Sequence, residues 1–199
     1  MRTSHNNPPS NGRIRLAIFC LYFCTGVCFS SWASRIPDIK TMLNLGDAAW
    51  GTILLMIPIG QICGMTISGL LISRIGSKNI LPISLAGYVL ALLFVGISAT
   101  EYALIISLII FGFFGNFCNI SVNTQAVTLE SAYNSPIMSS FHGGWSLACL
   151  IGAALCLLMS LLHITPIYHF CAVVLIVLIR PYIYLKYLQA ILKCVYGYM

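Results

Sequence analysis

An all-α integral membrane bundle of six transmembrane helices is the fold class this sequence predicts, and three observations predict it. Apolar residue types make up 59% of the 199 residues and charged types only 7%, against roughly 25% charged in a soluble domain. A folded surface must match its solvent, and so few charges cannot cover a water-facing exterior. Hydrophobic stretches of spanning length also follow one another, at about 14–34, 49–72, 80–98, 102–124, 137–162 and 167–185. Each approaches the roughly 20 helical residues that a hydrocarbon core requires. The third observation is the sorting of basic residues between the two ends of these spans.

The first thirteen residues are polar, with Asn6 to Gly12 rich in Asn and Pro, and predict a disordered lead-in. The first span follows Arg13 and Arg15 and ends at Ser31-Trp32-Ala33, which resembles a signal-peptide cleavage site. Five further spans follow it, so it reads as an uncleaved first helix. Arg35 to Lys40 opens a polar loop that ends at Gly46 and Asp47. In the second span Gly60, Gly64 and Ser68 form a small-residue stripe for close helix packing, and Pro58 predicts a kink. Ser73 to Lys78 is a tight basic turn, Glu130 to Pro136 a longer polar loop, and His163 to Pro166 a short one. Pro136 and Pro166 suit helix starts, where a missing N–H costs nothing. Residues 14–185 form one bundle, and 186–199 are a cytoplasmic tail.

With the N-terminus inside, Arg2, Arg13, Arg15, Arg74, Lys78, Arg180, Lys186 and Lys193 fall on the cytoplasmic side, leaving only Arg35 and Lys40 outside. Eight against two places both termini in the cytoplasm of a multi-pass protein of the cell (inner) membrane. The net charge of +6 comes from scattered residues, so it does not describe a nucleic-acid surface. Cys20, Cys24 and Cys28 share a helix face without a His or carboxylate beside them, a pattern of packing rather than of metal binding. Phosphate-loop, zinc-protease and nucleophile-elbow motifs are absent, and four acidic residues leave little for hydrolytic chemistry. The chain reads as a non-enzyme without a cofactor or metal.

The polar residues inside the spans are the candidates for function. Asn116, Asn119 and Asn123 lie on one face of the fourth span, and Glu130 continues that face. Carboxamides in hydrocarbon need partners inside the bundle or a wet cavity. Ser121, Thr124 and Gln125 lie close by, which favours a face turned to a solute; interhelical hydrogen bonding is the alternative. In the fifth span His142 is an intramembrane ionisable group, able to bind solute or relay a proton, or to serve in helix packing beside Gly143 and Gly144. Trp32 offers a ring for stacking or an interfacial anchor. Arg35 is expected at the outer mouth, as a gate or orienting charge.

The stretch Gly69 to Lys78 resembles the signature loop between the second and third helices of the major facilitator superfamily. Gly69, Arg74, Gly76 and Lys78 match the pattern, whereas Ser73 stands where the family has Asp and Ser77 replaces a basic residue. Trp32 to Asp38 and His142-Gly143-Gly144-Trp145-Ser146-Leu147 are similar to a sugar- and fucose-permease-like branch, which brings in Trp145 as a further substrate-binding candidate. The resemblance implies the N-terminal half of a transporter working by alternating access, with the first, second, fourth and fifth helices facing the solute path. The polar residues found above lie on those helices, so substrate contact is expected of Asn116, Asn119, Asn123, His142, Trp145 and Trp32. Coupling or gating falls to Arg35, Glu130, Gly69, Arg74, Gly76 and Lys78. The expected partners are a small polar solute such as a sugar, the lipid bilayer, and a missing C-terminal half or second copy. The last twenty residues do not look like the linker that joins the halves, so a truncated or frameshifted transporter is expected. A non-transporting fragment or scaffold, assembling through helix packing, is the alternative.

Overall fold

The computed structural model describes residues 11–133 and 135–178. These form α1 (Asn11–Ser34), α2 (Ile36–Met42), α3 (Asp47–Leu54), α4 (Met56–Ile75), α5 (Ser77–Ile97), α6 (Glu101–Tyr133), α7 (Met138–Leu161) and α8 (Pro166–Leu178). Among the described residues there is no strand, and five helical stretches are long and apolar enough to cross a membrane. They are α1, α3 joined to α4, α5, α6 and α7; α8 is apolar but shorter. The remainder of the expected sixth span, 179–185, lies outside the described residues, as do residues 1–10 and the expected tail at 186–199. Residues 11–13, expected in the lead-in, already belong to α1.

Three local features differ from the reading of the sequence. The connector after Arg35 is not all loop, because Ile36–Met42 closes a short helix with Pro37 in its first turn, where no N–H is needed. The second span breaks between α3 and α4 at Leu55. Pro58 accounts for this, since it has no N–H to give Leu54, four residues back, and its ring crowds that carbonyl. The third difference is the length of α6, 33 residues where the apolar run predicts an end near 124. The hydroxyls from that point on are satisfied within the helix: Thr124 Oγ1 donates to the Ile120 carbonyl and Thr128 Oγ1 to the Thr124 carbonyl, each at 2.8 Å. Glu130 is therefore a helical residue. At 1.5 Å per residue α6 is roughly 50 Å long, well beyond a hydrocarbon thickness of about 30 Å.

Two packed groups make up the bundle. In one, α6 lies between α4 and α5; in the other, α1 lies along α7. The small-residue stripe of α4 sets the first contact as expected. A Cβ on Gly60 would stand 2.1 Å from the Ile109 carbonyl oxygen, and one on Gly112 would stand 2.2 Å from that of Ile57. Only glycine lets these two backbones meet. In the second group Gly26 faces the Trp145 carbonyl and Gly152 faces Ser30 in the same manner. α8 reaches the core through Phe170, fully buried against Gly96 of α5. Large apolar side chains such as Ile62, Met65, Leu150 and Leu157 remain exposed on the outside, as lipid-facing positions should.

Candidate functional site

A cavity of about 190 Å³ opens on the seam between the two groups. The α6 face supplies its floor, with Phe111, Gly112, Gly115, Asn116 and Asn119 following one another at helical spacing. Ile57 and Gln61 of α4 and Tyr88 of α5 close one side, and Thr25 and Phe29 of α1 with Trp145 of α7 close the other. Glycines at 112 and 115 make the room, since a Cβ at 115 would fall 2.8 Å from the Tyr88 ring. Tyr88 packs on Phe111 with centroids 4.6 Å apart, and Phe29 lies 5.9 Å from Trp145. The walls are thus aromatic and the floor carries carboxamides. No Asp, Glu, Lys, Arg or His is among the lining residues.

The carboxamides are held by named partners. Asn116 Nδ2 donates to the Gln61 backbone carbonyl at 2.7 Å, tying α6 to α4 beside Pro58 and the α3–α4 break. Asn123 Nδ2 donates to both the backbone and the side-chain oxygen of Asn119, each at 2.8 Å. Asn123 Oδ1 in turn accepts from the Tyr22 hydroxyl at 2.6 Å, which crosses the seam to α1. Tyr22 stacks on Phe141 and meets the His142 ring edge-on at 5.4 Å.

Of the residues expected to contact solute, the structure brings Asn116, Asn119 and Trp145 to the cavity. Asn123 sits one turn behind Asn119, on the hydrogen-bonded chain to Tyr22. His142 is exposed and off the cavity, against Tyr22. Trp32 is buried behind Phe111, with ring centroids 5.9 Å apart. It is not among the residues that line the cavity.

The charged candidates stand elsewhere. Arg35 is 2% exposed rather than open at a mouth, because a guanidinium inside the bundle gathers acceptors. Its Nη1 donates to Asp38 at 2.5 Å and to Ser160 Oγ at 3.0 Å, and its Nε donates to His169 Nδ1 at 3.2 Å. This cluster joins α1, α2, α7 and α8. At the opposite end, Glu130 Oε2 accepts from the N–H groups of Ile137 and Met138, at 2.8 and 2.6 Å, and caps α7. Arg15 Nη2 donates to Ser140 Oγ at 3.2 Å near the same helix start.

Several lining residues escape a reading of the sequence. Gly112 and Gly115 were accessible, since they extend the Asn stripe by one turn toward the N-terminus. Tyr88 is the lone hydroxylated aromatic on an aliphatic helix, a weaker signal. Thr25, Phe29 and Phe111 carry none, because only the approach of separate helices assembles them.

The sequence matches the profile of the Major Facilitator Superfamily over residues 18–189. The chain belongs to that superfamily. Among its relatives are an uncharacterized transporter of Sinorhizobium fredii, 28% identical over 150 residues, and an uncharacterized MFS-type transporter of Yersinia pestis, 31% identical over 132 residues. The membrane protein MosC of Rhizobium meliloti is 27% identical over 148 residues. The three alignments cover 75%, 66% and 74% of this chain and 40%, 34% and 36% of the relatives. The chain therefore spans well under half the length of the curated relatives it matches.

In this superfamily member the signature loop is the turn between α4 and α5. Gly76 adopts φ +79° and ends α4, its N–H bonded to the Ile72 carbonyl at 3.0 Å. Glycine is required there by conformation. Gly69 faces open space and Arg74 is exposed, while Lys78 is half-buried. Ser73, standing at the family's Asp position, turns its hydroxyl back to the Leu70 carbonyl at 2.8 Å.

Proposed function

We propose that the seam cavity is this unit's share of the solute path of a secondary transporter that works by alternating access on a small polar solute of the sugar class. The observation that carries the reading is the convergence of Asn116, Asn119 and Gln61 with the rings of Phe29, Tyr88, Phe111 and Trp145 around one cavity. Amide groups exchange hydrogen bonds with hydroxyls while aromatic faces cover the apolar face of a sugar ring. Membership in a family of transporters supports the same reading and weighs against an enzyme.

The remaining solute path is formed by a second six-helix unit, from a C-terminal half or another copy, against this one. The exposed turn at Gly69, Arg74, Gly76 and Lys78, with Glu130 at the start of α7, forms the cytoplasmic closure, and Arg35 braces the outer end. His142, beside Tyr22, is the candidate for proton coupling. Arg13, Arg15, Arg74 and Lys78 gather at one end, whereas at the other Arg35 and Lys40 are paired with Asp38 and Asp47. That imbalance supports cytoplasmic termini in an inner membrane.

Uptake of radiolabelled monosaccharides into proteoliposomes tests the proposal. Asn116→Ala or Asn119→Ala should cut uptake at least about ten-fold, the worth of one or two hydrogen bonds. Undiminished uptake in both variants would remove the cavity from the path.

A further inference from the structure

The carboxamides at the cavity have a fixed polarity. Asn116 spends its Nδ2 on the Gln61 carbonyl, so its Oδ1 is left as an acceptor without a donor among the described residues. Asn119 is turned the other way, because its Oδ1 receives Asn123 Nδ2 and its own N–H₂ is left toward the cavity. What fixes Asn119 lies behind it. Both hydrogens of Asn123 Nδ2 are taken by Asn119, and Asn123 Oδ1 is held by the Tyr22 O–H at 2.6 Å. The Asn119 backbone carbonyl can only accept, so it holds Asn123 Nδ2 toward Asn119, and the Tyr22 O–H braces the chain from behind by donating to the Asn123 Oδ1 that this leaves.

We propose that Tyr22 and Asn123 are positioning residues that aim the Asn119 N–H into the cavity opposite the Asn116 carbonyl, and that this donor–acceptor pair selects an uncharged solute with neighbouring hydroxyls. The inference rests on the reading of the cavity as a solute site and names the class of solute. Three residues apart on one helix, the two amides are about 5–6 Å from each other, a span that two adjacent hydroxyls bridge. A hydroxyl donates and accepts, so it satisfies both groups. A carboxylate would face the Asn116 carbonyl and an ammonium the Asn119 N–H, in a cavity whose lining holds no countercharge.

Saturation-transfer NMR on the purified full chain in detergent, with three isosteric probes, tests this. The probes are D-galactose, anionic D-galacturonate and D-galactosamine, at about pH 6 where an amine of this kind is protonated. The wild type should bind galactose above both charged analogues. Asn123→Ala frees Asn119 to turn its carbonyl inward, so the galactosamine-to-galactose binding ratio should rise about five-fold. Tyr22→Phe should move the ratio in the same direction, and it keeps the test alive if the alanine variant fails to fold. A general loss of structure would lower all three signals together and leave the ratio where it was. An unchanged ratio in the folded variants, a wild type that prefers a charged analogue, or one that binds none of the three would each overturn the inference. Binding in this pattern without uptake into proteoliposomes would sink the transport reading and leave this inference standing.

Discussion

Gly60→Ala adds one methyl group at the point where α4 and α6 come closest. The new Cβ would stand 2.1 Å from the Ile109 carbonyl oxygen and 2.9 Å from the Phe113 nitrogen, whereas carbon and oxygen in ordinary contact keep more than about 3 Å apart. Both obstacles are backbone, so no rotamer change relieves them, and the helices must separate by about 1 Å. Overpacking of this kind costs about 3 kcal/mol at the upper end of its usual range. Alanine returns about 1 kcal/mol through its better helix propensity. The net is a loss of about 2 kcal/mol, or roughly 4–8 °C in the unfolding midpoint for a chain of this size. Gly69→Ala, on the same helix, meets nothing within 4 Å and should be neutral or slightly stabilising. Thermal unfolding in detergent, followed by a thiol-reactive dye that reports exposure of the buried Cys28 and Cys118, reads the difference. A midpoint for Gly60→Ala equal to that of Gly69→Ala would refute the backbone contact, and with it the stripe as the device that sets the α4–α6 spacing.

Other perturbations probe the ends of the bundle in the same assay. Asp38→Asn removes the carboxylate from a guanidinium that is 2% exposed. It should cost about 1–3 kcal/mol, less than for a fully buried pair because Asp38 is 40% exposed. Adding Arg35→Leu to it should restore part of that loss, and a double variant worse than the single would argue against a charge left uncompensated. Glu130→Ala removes the one oxygen that accepts from two N–H groups at the start of α7 and should cost about 1–2 kcal/mol; amide exchange of Ile137 and Met138 should quicken together. Gly76→Ala forces a side chain into a left-handed φ of +79° and should cost about 1–2 kcal/mol. Nothing lies within 4 Å of a Cβ there, but the accompanying ψ of 145° lies outside the left-handed helical well that Asn tolerates, so Asn should recover little of it.

What the sequence reveals and what it hides divide along the range of the interaction. Apolar runs, the Gly60–Gly64–Ser68 stripe and the break before Pro58 are local or helical-repeat patterns, and a single chain segment carries each of them. Asn116, Asn119 and Asn123 likewise share a face by helical repeat alone, and the first two line the cavity. The extension of α6 past residue 124 was hidden because the apolar run ends there and Glu130 to Pro136 reads as a polar loop until the partners of Thr124, Thr128 and Glu130 are known. Thr hydroxyls that bond back to the preceding turn, and a carboxylate that reaches the next helix, turn those residues into helix. Arg35 is the extreme case. Its burial depends on Ser160 and His169, 125 and 134 residues away in sequence, and nothing near Arg35 announces them.

The position of the cavity follows from how unevenly the helices are bound to one another. Glycine-mediated backbone contacts hold α4 onto α6, rings of Phe114 and Tyr88 set against Gly87 and Gly115 hold α5 onto α6, and Gly26 and Gly152 bring α1 and α7 together. Such contacts have little slack, because a shift of a fraction of an ångström at Gly60 or Gly152 brings backbone or side chain into collision. Between the groups the links are of another kind. Toward one end stand the Tyr22–Asn123 hydrogen bond and the Glu130 carboxylate that caps α7 from α6, and toward the other Trp32 rests on Phe111. A single hydrogen bond and a ring contact are each worth on the order of 1 kcal/mol, well below the cost of opening a close-packed helix pair. Of the residues that line the seam, Asn119 and Phe111 are tied to two of these links. A solute that binds Asn119 or covers Phe111 thus acts directly on the contacts that hold the groups together.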